Sequence, residues 1–168
     1  MSLTMYSASV PVVVRSLENL SAILAKGQAY AAEQGIDEAS LTTAKLAEDM
    51  FPLVRQIQLA SDSAKGMGAR LAGVDVPSMD DNEVTIADLQ ARIEKTISFL
   101  NGLESAAFDG AETKEITFSN KGGSYEFNGR DYLFNFVFPN FFFHVTTAYD
   151  ILRHKGVNIG KKDFLGAY

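Results

Sequence analysis

Apolar residues recur at three- and four-residue spacings in several stretches of the chain, the pattern of helices with one buried face. In the first stretch Val10, Val13, Leu17, Leu20 and Leu24 mark such a face, which predicts a helix over residues 5–34. Pro11 must lie in its first turn or bend it, because proline removes a donor. Gly35 is placed to stop it. Residues 36–49 read as a connection with one short turn, which Asp37 could cap and which holds Ser40 and Leu41. A second helix is predicted over 50–71, with Leu46, Met50, Leu53, Val54, Ile57, Ser61 and Ala64 on its inner stripe and Pro52 in its first turn. The loop 73–83, with Pro77 and the pair Asp80–Asp81, reads as a surface connection.

The third helix has the most continuous seam: Ile86, Leu89, Ile93, Ile97, Leu100 and Leu103. Thr85 is its expected N-cap, with Asp88 in the first turn. From 107 to 130 the period changes to two. Ile116-Thr117-Phe118 and Tyr125-Glu126-Phe127 flank turn residues 119–123, the pattern of a β-hairpin. A lone hairpin is marginal in water, so it should pack on the helices. The last helix is expected from Asp131 to Lys155, ended by Gly156 and kinked by Pro139. The tail, with Val157, Ile159, Phe164 and Leu165, should fold back on the bundle. The expectation is an all-α four-helix bundle with a short hairpin before the last helix, forming one domain over residues 1–168.

Composition narrows the chemistry. The 168 residues contain no Cys, which excludes disulfides, thiolate metal sites and thiol nucleophiles. The net charge is −6. The one basic group, Arg153, His154, Lys155, Lys161 and Lys162, suits a solvated helix end, so no nucleic-acid surface is expected. No stretch reads as a bilayer span and the first residues do not read as a secretion signal, so a cytoplasmic protein without membrane contact is the default expectation.

His144 falls on the inner stripe of the last helix with Val137, Phe141, Ala148 and Ile151. It reads either as a buried histidine bonded to a hydroxyl or carboxylate on a facing helix, or as a metal ligand or proton shuttle. The second and only other histidine, His154, lies about 15 Å further along the helix, so the two cannot share an ion. A three-histidine centre within one chain is thereby excluded. A mixed site of His144 with Asp49, Gln58 or Asp62 stays open. Arg55, Gln58 and Asp62 lie along one line of the second helix, either as a solvated stripe with an internal pair or as one wall of a pocket. Asp49 and Tyr149 complete the pocket candidates, and Tyr149 could face the core or a subunit interface. The acid pairs Glu48–Asp49 and Asp80–Asp81 diverge in direction and should be solvated. No phosphate loop, nucleophile elbow or nucleophile–histidine pair is present, and no metal or cofactor is assigned. Phe134, Phe136, Phe138, Phe141, Phe142 and Phe143 are more rings than one stripe turns inward. The surplus should be covered by the hairpin, the tail or a second subunit, which predicts a homodimer.

Several of these segments resemble a known family. Asp131-Tyr132-Leu133, Pro139-Asn140-Phe141 and the run from His144 to Val157 resemble the last helix of an uncharacterised bacterial domain-of-unknown-function family. The opening Met5-Tyr6, Ser9-Val10-Pro11 and Leu20 to Leu24 is similar to that family's start, and Asp49 to Leu53 with Gln56, Gln58 and Asp62 to its second helix. That family is grouped with the DinB/YfiT-like four-helix bundles. The resemblance implies this fold, often as a dimer. In many relatives it also implies a metal held by one histidine on the second helix and two spaced by four on the last. Some relatives are thiol-dependent transferases. Here Ala148 follows His144 at that spacing and the second helix has no histidine. The chain is therefore expected to be a non-catalytic binding or interaction module, or else a degenerate DinB-like metal-dependent enzyme, thiol-transferase-like, with a polar site around His144.

Overall fold

The computed structural model describes residues 3–120 and 122–167. Lys121, in the expected hairpin turn, lies outside them. Helix α1 runs from Met5 to Gln34. Thr4 and Ser7 form a reciprocal capping box at its start, and Gly35 takes the left-handed conformation that ends it. The short α2, Ala39–Thr42, follows. Glu38, not Asp37, is its N-cap, and Asp37 accepts from the Ala39 amide at 3.0 Å from one residue further back.

Helix α3 spans Leu53–Ala72, and α4 spans Ile86–Asn101 behind a Thr85–Asp88 capping box. The second helix thus begins later than the spacing implied. Pro52 is its N-cap rather than a first-turn residue. Leu46 and Met50 therefore sit in the preceding turn, and Leu46 is exposed rather than on the inner stripe. A 3₁₀ turn, Ser105–Phe108, leads to strands β1 (Glu115–Asn120) and β2 (Gly123–Asn128). They pair antiparallel, with Ile116 opposite Phe127 and Phe118 opposite Tyr125.

The last helical segment starts three residues before the expected cap. Asn128, not Asp131, is the N-cap of α5 (Gly129–Asp131). A π-helical stretch, Tyr132–Val137, then leads into α6 (Phe138–His154). The widened turns lie immediately before Pro139, which has no amide hydrogen to offer the preceding turn. The tail forms α7, Lys161–Leu165, and packs on α1.

Contacts fix the directions of the four long helices. Gln90 reaches Ser21 O, and Ile86 lies near Gly27, so α1 and α4 are antiparallel. Gln56 meets His144 and Arg70 meets Tyr132, so α3 and α6 are antiparallel. Ser61 meets Thr96 and Gly68 meets Leu100, so α3 and α4 are parallel. The loop between α3 and α4 must therefore climb back along the bundle. The core is a single cluster, from Leu17 and Leu24 on α1, through Ile57 and Met67 on α3 and Leu89 and Ile93 on α4, to Phe141 and Ile151 on α6.

By length and apolar composition α1 alone would qualify as a membrane span, contrary to the expectation that no stretch would. In the fold its stripe from Val10 to Leu24 is instead buried in the core.

Candidate functional site

Two polar groups lie on α3, turned to different neighbours. The first faces α6. His144 is partly buried, and its Nδ1 lies 2.8 Å from Gln56 Oε1. Gln56 is itself buried, and its Nε2 donates to Phe51 O at 3.0 Å. That bond fixes the amide, so Oε1 can only accept and Nδ1 carries the proton. In the neutral ring Nε2 then holds the lone pair. No partner for Nε2 exists among the described residues. It is also absent from their fully buried unpaired atoms, so it reaches solvent. Burial, and then the positive charge of Arg55, hold this imidazole below its ordinary pKa of 6.5. Phe143 stands edge-on to the ring at 5.3 Å and is 56% exposed, as is Phe51. The facing partner is thus an amide, where a hydroxyl or carboxylate was expected.

The second group faces α4 and the returning loop. Arg92 on α4 is 3% exposed. It bonds Asp62 at 2.9 Å, Asp81 at 3.0 Å and Glu83 at 2.9 Å, and donates to Asp80 O at 3.1 Å. Arg55 holds the other oxygen of Asp81 at 2.5 Å. Gln58 accepts from Arg55 at 3.0 Å and donates to Glu83 at 2.8 Å. Lys65 binds Asp62 at 3.1 Å and Pro77 O at 3.0 Å. Three cations thus face three carboxylates, and Arg92 Nε is left without a partner. Partial burial pushes Asp81 and Glu83 up. The Arg55 hydrogen bond and Arg92 charge on Asp81, and the Arg92 and Gln58 hydrogen bonds on Glu83, outweigh it and hold both below the ordinary carboxylate range.

The stripe Arg55, Gln58, Asp62 therefore has a use that periodicity did not foresee. It is the track along which the α3–α4 loop is held as it climbs. The internal pair expected in it is present, Arg55 with Gln58, and among the described residues no hydrogen bond joins His144 to the stripe. Its bonded partners are Arg92, Asp81 and Glu83. Asp81 is correspondingly paired rather than solvated. Asp49 is exposed and joins neither group. Tyr149 is partly buried, with Phe164 of the tail edge-on at 5.8 Å, so it faces the folded-back C-terminal segment.

Arg92 and Gln56 were the residues missed. Arg92 sits between Leu89, Ile93 and Thr96, all buried, so a charge on the apolar seam was the available signal. Gln56 stood only among the second-helix residues that resemble the family, and not among the pocket candidates.

Among the described residues, no group of three or more His, Asp or Glu side chains is arranged to hold a metal ion. What the His144 site offers is one neutral, oriented imidazole nitrogen beside the exposed ring of Phe143.

Comparison with known proteins gives this geometry a context. Residues 5–165 match a family described as a domain of unknown function, DUF1993. A crystal structure of a DinB family member protein from Shewanella denitrificans is similar, with a TM-score of 0.91 and 40% sequence identity. The match covers 98% of this chain and 93% of that one. No curated protein matches. The chain belongs to the DUF1993 family, an uncharacterised family with the DinB-like bundle.

Proposed function

We propose that this protein is a non-catalytic binding or interaction module, a cytoplasmic DinB-like bundle without the three-histidine metal centre. The observation that carries this reading is the partner of His144. Where a metal site needs further histidine or carboxylate ligands converging on one point, the imidazole is closed on one side by the Gln56 amide at 2.8 Å. The next turn of α6 offers buried Ala148. The carboxylate of Asp62 is engaged by Arg92 and Lys65. A site that keeps one oriented nitrogen beside the exposed Phe143 ring has the means to hold a ligand, and lacks the further ligands through which a metal would activate water or a thiol.

One observation favours a second reading, a degenerate metal-dependent enzyme. His144 Nε2 is unprotonated and reaches solvent while Nδ1 is oriented by a buried amide, the arrangement of a metal-ligating histidine. The two readings separate in a thiol-transfer assay with several electrophiles and added divalent metal, comparing wild type with His144→Ala. The module reading expects no turnover above the variant. Turnover that disappears with His144 would replace it by the enzyme reading.

A further inference from the structure

Most charged side chains around the α3–α4 loop are committed to one another, but two of opposite sign are not, and both line one cavity. The cavity measures about 490 Å³ and lies between the loop and α4. That size suits a small organic molecule. Asp88, Arg92 and Lys95 stand along one line of α4, at spacings of four and three, and all three line it. Asp80 lines it from the loop side. Glu83, beside it, is taken by Arg92 and Gln58. Asp88 is taken by the amides of Val84 and Thr85. Asp80 meets Arg92 only through its main-chain oxygen. Among the described residues the Asp80 carboxylate has no partner, and neither has the Lys95 ammonium. One free anion and one free cation thus share a cavity without pairing with each other. Between them Arg92 is 3% exposed, and its buried Nε has no acceptor. A buried N–H left unpaired in this way is destabilising. Met79 and Ala91 give the cavity an apolar side. The Met79 sulfur is held 3.9 Å from the hydroxyls of Ser61 and Thr96.

We propose that this cavity is a binding site for a zwitterionic α-amino acid with an apolar side chain. The ligand carboxylate lies against Lys95 and the Arg92 guanidinium, and its ammonium against Asp80. Its side chain lies against Met79, whose thioether adapts to varied apolar shapes, and Ala91. Charge selects the zwitterion. A bare carboxylate at Lys95 would face Asp80, and a bare amine at Asp80 would face Lys95. A molecule that carries both signs on one carbon satisfies both. Spacing agrees, because Arg92 donates to Asp80 O at 3.1 Å. The acid and the guanidinium are therefore neighbours, as the two ends of an α-amino acid are. The arriving carboxylate also supplies an acceptor of the kind that Nε lacks. The site is separate from His144, which meets α3 through Gln56.

The test is an NMR titration of the full isotope-labelled chain with L-alanine, L-valine, L-leucine, L-methionine and L-phenylalanine. Each is taken to about 10 mM, well above a dissociation constant of about 1 mM. The expected result is saturable binding of at least one, with amide shifts centred on Asp80 and Lys95. Asp80→Asn and Lys95→Ala should each weaken it about tenfold or more, and Lys155→Ala, off the site, should not. Both Asp80 and Lys95 are exposed, and circular dichroism checks that the variants fold. If one fails to fold, the other decides. Analogues of the tightest binder that lack its amino or its carboxyl group should also bind about tenfold more weakly. No saturable binding by any of the five overturns the proposal. So does binding that survives the Asp80 and Lys95 variants, or an analogue that binds as tightly as its parent. Shifts centred on His144 and Gln56 would assign the ligand to that surface and overturn it as well.

Discussion

At the scale of single residues, the two side chains with most at stake are His144 and Arg92. The fold favours the neutral His144 ring, because burial and then Arg55 disfavour its proton. The unfolded chain therefore binds that proton more readily. Stability from this group is present above about pH 6.5 and is lost as pH falls toward the folded pKa. An NMR titration should place the midpoint of His144 below 6.5, and a midpoint at or above it would contradict the tautomer and burial described. Gln56→Glu sets a carboxylate against Nδ1 and should raise that midpoint by about one to two units. Arg92 is the opposite case, a buried charge matched by three carboxylates. Arg92→Ala leaves Glu83, whose side chain is 8% exposed, without its cation. A loss of about 3 kcal/mol in urea unfolding is expected. A loss below about 1 kcal/mol, within the range of an exposed pair, would mean that water or Lys65 replaces the guanidinium.

At the scale of elements, the crossover loop and the close helix pair carry the architecture. α3 and α4 run parallel, so the loop joining them must return along nearly the whole bundle. Lys65, Arg55, Gln58 and Arg92 hold it at Pro77, Asp81 and Glu83. Asp81 and Glu83 are held below their ordinary pKa values, so their contribution is full above the unfolded values near 4. It is lost as pH falls through the folded ones. Hydrogen exchange in residues 74–85 should accelerate on acidification before the helices open. Loop and helices exchanging together would show that the clasp does not act separately. Close packing of α3 on α4 depends on Gly68, where a Cβ would lie 2.5 Å from Leu100 Cδ2 and 2.8 Å from Leu103 Cδ1. Gly68→Ala should therefore cost about 1–3 kcal/mol, and a neutral melting temperature would show that these leucines can yield.

The helices and the hairpin were legible because each writes its own period: three to four for Val10 to Leu24 and Ile86 to Leu100, two for Ile116 to Phe118. Caps written in side chains, such as Thr85 with Asp88, were legible too. The early turn capped by Asn128, which accepts from the Asp131 amide, was not, because Asp131 offered an equally good cap; nor was the π-helical stretch before Pro139, which depends on how a proline's missing donor is absorbed. The candidate site was legible only in part. Periodicity put His144 at the α6 seam, but its partner depends on the rotation of α3, which leaves Gln56 and Gln58 on different sides. The grouping of Asp62 with Arg92 needed the direction of α4, which a single sequence does not state.

At the scale of the whole molecule, the frame is a bundle of helices around one apolar core. Its four long helices close on one apolar cluster, and the polar residues Gln56, Gln58 and Asp62 of α3 are bonded to protein groups. The proposed module reading places its ligand at the His144 site, where Nδ1 is bonded to Gln56. The most direct test is elemental analysis of protein purified without a metal-binding tag, beside His144→Ala. The account predicts well under one equivalent of any transition metal in both. One equivalent in the wild type, lost in the variant, would contradict it and restore a metal centre on a single histidine.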